Sequence, residues 1–168
     1  MGEPNASGAA ELRAERTIAA PPEAIWRACT TPSAVERWWG PPDLRTTVRR
    51  LEVRPGGAVL FHQRHLPALF GRAGSDAARA AGVPLSFAIR GHLEVVEPLR
   101  RLDFCLTLAV AGTEGGIDFR LRLDLLPEAD GTRVAFFAAG PAASPGTDSG
   151  PANIDRQLER LADVVAAG

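Results

Sequence analysis

The sequence predicts an α+β fold in which a curved antiparallel sheet of about seven strands is closed by one long C-terminal helix. Three observations predict this fold. Several stretches alternate between apolar and polar residues, short turns join neighbouring stretches, and one amphipathic pattern ends the chain. Because an amphipathic helix cannot bury its own apolar side, it needs the sheet as the surface on which it lies.

The predicted elements follow each other in the order strand, two short helices, six strands and a long helix. A loose tail at 1–10 precedes a single domain at 11–168. The predicted ranges are a strand at 11–20, helices at 23–29 and from Pro32, strands at 46–54, 58–65, 86–96, 101–110, 117–126 and 132–138, and a helix at 151–166. Prolines open the two short helices, because proline suits a first helical turn.

Periodicity also predicts which side chains point inward. The residues concerned in the last helix are Ile154, Leu158, Leu161, Ala162 and Val165. In the strands they include Leu12, Ala14 and Thr17, Leu51 and Val53, Val59 and Phe61, Phe87, Ile89, Leu93 and Val95, Leu102 to Leu108 alternately, Ile117 to Leu125 alternately, and Val134 and Phe136. Trp26 and Trp38 are predicted to be core residues. A sheet with these faces has an almost wholly apolar inner side.

Composition excludes several kinds of function. The 168 residues suit one domain, and a net charge of −1 argues against nucleic acid or an anionic membrane as a partner. No lysine and no tyrosine are present, which excludes a lysine Schiff base and a tyrosine acid. Cys29 and Cys105 lie far apart and are interpreted as free, buried thiols rather than a disulfide. Without a hydrophobic signal core or an apolar run of about 18 residues, we expect a cytoplasmic protein that spans no membrane.

Several short motifs, taken in order, resemble a known superfamily. They are Pro21-Pro22-Glu23-Ala24-Ile25-Trp26, Trp38-Trp39-Gly40-Pro41, Arg54-Pro55-Gly56-Gly57, Val95-Val96-Glu97-Pro98 and Gly131-Thr132-Arg133-Val134. The set resembles the START-like, helix-grip (SRPBCC) superfamily, and within it the AHSA-type branch named for activators of the heat-shock-protein ATPase. The resemblance implies a seven-stranded sheet around the long C-terminal helix, with a cavity between them. Members of the superfamily include lipid and sterol carriers, polyketide cyclases and proteins that sequester small molecules.

The sequence departs from the pattern of this superfamily at two places. The usual Gly-Trp pair at the start of the last helix is replaced by Asn153 and Ile154, which removes an aromatic residue from the cavity mouth. The connection at 66–85 is longer than the usual hairpin there. Near its start it carries Leu66, Leu69 and Phe70, for which two interpretations stay open: a lid over the cavity, or a small cluster packed under the loop.

The inward faces define a candidate ligand site. Its residues are Trp39, Phe61, Gln63, His65, Phe87, Phe104, Phe119, Phe136, Ile154 and Leu158. A pocket of this composition would take an apolar or aromatic molecule, with a few polar groups that orient it. Gln63 and His65 either lie in solvent at a frayed strand end or bind the ligand. Trp39 either caps the pocket mouth or covers a sheet edge, whereas His62 and His92 fall on the outer face.

Three hypotheses for function follow. We favour non-catalytic binding of a small hydrophobic molecule, because no catalytic triad, zinc pattern or phosphate loop is present and no cofactor is expected. The second is an enzyme of cyclase or hydrolase type acting on a polyketide-like substrate, with His65 as the candidate acid or base. The third is a co-chaperone-type interaction module, which requires an exposed apolar patch. Monomer and homodimer both remain open.

Overall fold

The computed structural model describes residues 9–41, 44–66, 76, 80, 86–109, 115–141 and 151–168. In these residues the chain forms seven strands and three helices. The strands are β1 (Ala9–Ile18), β2 (Leu44–Leu51), β3 (Ala58–His65), β4 (Ser86–Glu97), β5 (Arg101–Ala109), β6 (Ile117–Glu128) and β7 (Gly131–Pro141). The helices are α1 (Pro22–Thr30), α2 (Pro32–Trp38) and α3 (Pro151–Ala166). Leu69 and Phe70 of the predicted lid lie outside the described residues.

One curled antiparallel sheet contains all seven strands in the order β1-β7-β6-β5-β4-β3-β2. Strands β2 to β7 form a meander. The first strand, β1, pairs with the last, β7, so that Ala14 lies opposite Phe136. Helix α3 packs against β1, α1 and α2. Its buried residues belong to the same core cluster as the inner face of the sheet. The predicted α+β class and the closure of a curved sheet by the C-terminal helix are confirmed.

The buried side of α3 differs from the prediction in its last turn. Ile154, Leu158 and Leu161 are buried as expected, but Val164 is the fourth buried residue. Val165 and Ala162 are only partly buried beside the core. A step of three residues and a step of four both return to the same side of a helix, so periodicity alone could not choose between the two valines.

Two β-bulges overturn the inward positions predicted for Val53 and Val95. The bulge in β2 lies between Val48 and Arg50, and the strand ends at Leu51, so Val53 is exposed. The bulge in β4 lies between Leu93 and Val95. It reverses the alternation that follows, and Val96 rather than Val95 packs against the core.

The first strand also differs from its predicted course. It begins at Ala9, two residues inside the predicted tail, and ends at Ile18. Ile18 is buried, whereas Thr17 is exposed and donates a hydrogen bond from its hydroxyl to Glu128 at 3.0 Å. Thr17 was expected to face inward, but Ala14 and Ile18 share the even positions of the strand, so Thr17 lies on the other face.

The first two helices place the tryptophans. Trp38 is fully buried at the end of α2, and its indole N–H donates to the carbonyl of Ala28 in α1 at 2.9 Å. Trp26 is only partly buried against the core, so the prediction for it holds in part. The indole hydrogen bond satisfies a polar group that would otherwise be costly to bury.

Gly91 occupies an inner-face position in β4, between Ile89 and Leu93. A Cβ atom at Gly91 would lie 1.9 Å from the carbonyl oxygen of Cys105 in β5. The backbones of β4 and β5 are therefore so close at this position that no residue with a Cβ atom fits there without a shift. A glycine at such a point permits the strong curvature of the sheet.

Candidate functional site

The inner face of the sheet is more accessible at one end than at the other. Leu93 and Val134 are fully buried, whereas Phe87 is 8% exposed and Phe119 is partly buried. The more accessible end is formed by the C-terminal ends of β3 and β5 and the N-terminal ends of β4 and β6. We call it the open end of the sheet, defined by His65, Phe87, Leu108 and Phe119.

Trp39 lies inside the curved sheet and not at its edge. Its ring centroid is 5.0 Å from that of Phe61 on β3 and 5.3 Å from that of Phe104 on β5. Helix α2 ends at Trp38, and Trp39 adopts an extended conformation with φ −70° and ψ 137°. Two consecutive tryptophans can both be buried because the helix stops between them. The sheet-edge interpretation of Trp39 is therefore wrong.

Seven of the predicted site residues lie on the inner face of the sheet, and Trp39, Ile154 and Leu158 pack against that face from the helical side. Trp39, Phe61 and Phe104 form an aromatic cluster, while Phe136 and Leu158 are packed in the core with Ile154 nearby in the same cluster. Gln63, His65, Phe87 and Phe119 lie towards the open end. The ten residues therefore lie on or against one concave face in two groups, one buried in the core and one towards the open end.

Gln63 and His65 belong to a strand that does not fray. Gln63 is 5% exposed and lies opposite Thr46 on β2 and Phe87 on β4. The ring of His65 is half-buried and meets that of Phe87 edge-on at 5.6 Å between centroids. The solvent interpretation is thus wrong for Gln63. His62 and His92 are exposed on the outer face, as predicted.

A polar chain at the inner face holds the amide of Gln63. Its Nε2 donates to the hydroxyl of Thr46 at 3.2 Å, and that hydroxyl donates to the carbonyl of Trp39 at 2.9 Å. Gly40, with φ +85°, packs against the same amide, because a Cβ there would lie 2.3 Å from Gln63 Nε2. Gly40 is therefore constrained both by its backbone conformation and by its neighbour.

Helix α3 contacts this corner through two side chains. The backbone N–H of Gly40 donates to Gln157 Oε1 at 3.3 Å, and Arg160 donates to the carbonyls of Gly40 and Arg37 at 2.8 and 2.9 Å. Burial lowers the pKa of the Arg160 guanidinium. Thr46, Gln157 and Arg160 were not among the site residues predicted from the sequence.

A groove of about 180 Å³ lies on the opposite, outer face of the sheet. Its arginines are paired: Arg120 with Glu94 at 3.1 Å, Arg122 with Asp124, and Arg101 with Asp103. Of these three pairs, only Arg120–Glu94 joins two different strands, β6 and β4. Because each of these arginines already has a carboxylate partner, ion pairing within the sheet accounts for the charge of this groove.

Phe137 lies between two guanidinium groups on the same outer face. The guanidinium carbons of Arg13 and Arg122 are 4.9 and 4.8 Å from its ring centroid. Such contacts contribute about 0.5–1 kcal/mol each at exposed sites. They fix the outer face of β1, β6 and β7 without involving the inner face.

Neither cysteine has the character of a nucleophile. Both are free, as predicted, but only Cys29 is buried, because Cys105 lies on the outer parity of β5 and is half-buried. Burial raises the pKa of Cys29 to about 12, and desolvation followed by a hydrogen bond to Glu94 raises that of Cys105. A thiol is reactive as its thiolate, so both groups are inert near neutral pH. Among the described residues, no three His, Cys, Asp or Glu side chains are placed to hold a metal ion.

The raised pKa of Cys29 predicts a loss of stability at alkaline pH. Above pH 9 the thiol ionises in the unfolded chain but stays protonated in the folded one, so the free energy of unfolding falls as pH rises towards 12. We expect Cys29 to contribute a loss of about 2 kcal/mol between pH 8 and pH 10.5. Without lysine or tyrosine, few other groups titrate in that window.

Urea denaturation of the wild type and of Cys29→Ala at pH 8 and 10.5 measures this effect. The variant should lose less stability between the two pH values than the wild type does. Cys105→Ala serves as the comparison: the pKa of Cys105 is shifted in the same direction, but its thiol is less buried, so its removal should relieve less of the alkaline loss than removal of Cys29 does. An equal alkaline loss in Cys29→Ala and the wild type would contradict the assignment.

A curled seven-stranded antiparallel sheet around a C-terminal helix, with an apolar concave face, defines a START-like, helix-grip protein. The chain belongs to the polyketide cyclase/dehydrase and lipid transport family, whose family model matches residues 9–166. No match was found among curated proteins. No described helix has the length and apolar character needed to cross a membrane.

Solved structures share this fold at low sequence identity. A protein from Chromobacterium violaceum has a TM-score of 0.71 and 22% identity over 92% of this chain and 96% of its own. An AHSA1-like protein from Aeromonas hydrophila has a TM-score of 0.65 and 22% identity over 94% of this chain and 93% of its own. A protein from Arthrobacter aurescens has a TM-score of 0.71 and 16% identity over 94% and 87%. At these identities the similarity establishes the fold.

Proposed function

We propose that the protein binds a small hydrophobic or aromatic molecule between the concave face of the sheet and helix α3, without converting it. The observation that supports this proposal is the composition of the open end, which is apolar: Phe87 and Leu108 are 8% and 7% exposed there, and Phe119 is only partly buried. Apolar surface facing a concave space gains free energy when a ligand covers it. The family description, which names polyketide cyclases and lipid transport, agrees with a ligand of this class.

The described inner face offers little for catalysis. Its buried polar side chains are Thr46, Gln63 and Thr132, none of which titrates near neutral pH. His65 is the titratable side chain at the open end, and it carries the competing proposal of a cyclase or hydrolase. Loss of substrate conversion in His65→Gln, with binding retained, would favour that alternative over simple binding.

The described surface gives little support to a co-chaperone-type module. In this part of the chain the exposed large apolar residues are Val53 and Leu126. Val53 follows β2 and Leu126 lies on β6, with β3, β4 and β5 between the two strands. Two separated side chains do not form the contiguous apolar patch that such an interface requires.

A thermal-shift screen with lipids, flavonoids and aromatic polyketides tests the binding proposal. A ligand present at one hundred times its Kd adds about 2.7 kcal/mol to the free energy of unfolding. For a chain of this size we expect the melting temperature to rise by roughly 5–10 °C. The proposal would be overturned if no compound of any of these classes raised the melting temperature and the protein also failed to bind a hydrophobic dye.

A pair of variants on β6 locates the bound molecule. Phe119→Ala removes a partly buried ring from the open end and is expected to weaken binding about tenfold. Leu126→Ala, on the exposed outer face of the same strand, should leave affinity unchanged. Calorimetric titration of both variants with the best ligand of the screen gives the comparison. Equal affinities in the two variants would place the ligand elsewhere.

A further inference from the structure

The amide of Gln63 has a fixed orientation. Thr46 uses its hydroxyl proton to donate to the carbonyl of Trp39, so its oxygen can only accept a hydrogen bond from Gln63. The group of Gln63 that faces Thr46 is therefore the NH2 and not the carbonyl. The assignment follows from the direction of the hydrogen-bond chain, which is the basis on which amide orientations are decided.

In the described residues the nitrogen end of this amide has a hydrogen-bond partner and the oxygen end has none. Thr46 accepts from the nitrogen, and Gly40 packs beside the same atom. Within the described part of the chain, Thr46 is the hydrogen-bond partner of this amide. The carbonyl oxygen of Gln63 is consequently the end of the amide whose capacity is unused in the described residues, and an amide oxygen accepts a hydrogen bond.

Charge is absent from the described interior. The buried polar side chains are Thr46, Gln63 and Thr132, all of them neutral. Arg160 of α3 is half-buried, and its guanidinium donates hydrogen bonds to the carbonyls of Arg37 and Gly40. A ligand carboxylate taken to this depth would lose its hydration without gaining a counter-charge.

We propose that Gln63 is the specificity-determining residue of the ligand site, and that it selects an uncharged aromatic or apolar molecule bearing a hydroxyl group, whose O–H donates to Gln63 Oε1. This inference rests on the proposed binding function and deepens it. Thr46 acts as a positioning residue, because it holds the amide with its oxygen available. Gly40 has a similar role, because any side chain there would displace Gln63.

Three matched probes test the inference with the full chain by calorimetric titration. They are 2-naphthol, its methyl ether and 2-naphthoate, which share one ring system and differ in the polar group. We expect the naphthol to bind about five- to tenfold more tightly than the ether, the ratio expected for one neutral hydrogen bond. The naphthoate should bind roughly a hundredfold more weakly than the naphthol.

Two variants test whether Gln63 and Thr46 are responsible for the difference in affinity between the naphthol and its ether. Gln63→Met keeps an unbranched side chain of similar size and should bring the naphthol and its ether to equal affinity. Thr46→Val keeps the shape of the side chain but releases the amide, so discrimination between the two probes should narrow. Full discrimination in either variant would overturn the corresponding role, and circular dichroism with thermal melting confirms that each variant is folded.

Failure of this inference is distinguishable from failure of the binding proposal. Equal binding of naphthol and ether by the wild type, or tightest binding of the naphthoate, overturns the specificity and leaves the binding function standing. If a hydrophobic dye binds and none of the three probes displaces it, the specificity is again overturned. If neither the dye nor any probe binds, the binding function itself is wrong.

Discussion

Replacing Leu161 by alanine is expected to lower the free energy of unfolding by about 3–4 kcal/mol. Leu161 is fully buried on the side of α3 that joins the core cluster of the sheet. Truncation of a buried leucine loses its transfer free energy and leaves a cavity that the surrounding side chains fill only in part. For a chain of this length the melting temperature should fall by roughly 6–16 °C.

The matched control is Leu126→Ala. Leu126 is 40% exposed on the outer face of β6, so the same chemical change there should cost well under 1 kcal/mol. Urea denaturation gives both free energies with one protocol. A loss below about 1 kcal/mol for Leu161→Ala would mean that α3 does not pack on the core in the way described.

Replacing Gly91 by alanine is expected to cost about 3 kcal/mol or more. A Cβ at this position would lie 1.9 Å from the carbonyl oxygen of Cys105 and 2.9 Å from Cα of Leu106. Both contacts are with backbone atoms of β5, which cannot rotate away as a flexible side chain can. To make room for the Cβ atom, β4 and β5 would have to move apart at this point. That movement disrupts the packing of neighbouring residues.

Gly56→Ala provides the comparison for this effect. Gly56 has φ +74° in the turn before β3, and a Cβ there meets no atom within 4 Å. The Gly56→Ala substitution therefore lowers the free energy of unfolding only by the cost of holding alanine in a left-handed conformation, about 1–2 kcal/mol. Chemical denaturation should therefore rank Gly91→Ala as the more damaging of the two. The reverse order would show that the strands can separate at little cost.

Much of the fold follows from local pattern in the sequence. β3 has the predicted bounds, and β5 and β6 show the predicted inner faces, because an antiparallel strand with one buried side alternates strictly. The errors lie where an extra residue enters a strand. The bulges beside Arg50 and Val95 change which side chains face inward, and alternation read along a single strand cannot reveal an insertion that only the partner strand defines.

The same effect explains how far the candidate site could be predicted. Gln63 follows from alternation along β3. Thr46 does not, because a regular hairpin that pairs Leu51 with Val59 would place Thr47 opposite Gln63, and the bulge places Thr46 there instead. The contacts of Gln157 and Arg160 with Gly40 join segments more than a hundred residues apart in sequence. No local pattern encodes such contacts.

Strand β2 forms one edge of the sheet, and its side chains affect whether a strand of another chain can pair with it. β2 ends the sheet on one side, and unpaired edges invite strand addition and aggregation. Here the edge N–H of Val48 already donates to Glu36 at 2.7 Å, the strand is kinked by its bulge, and Arg45, Arg49 and Arg50 project from it. A strand added at this edge would meet the exposed Arg45 and Arg49 and a donor that is already occupied, which disfavours pairing along β2.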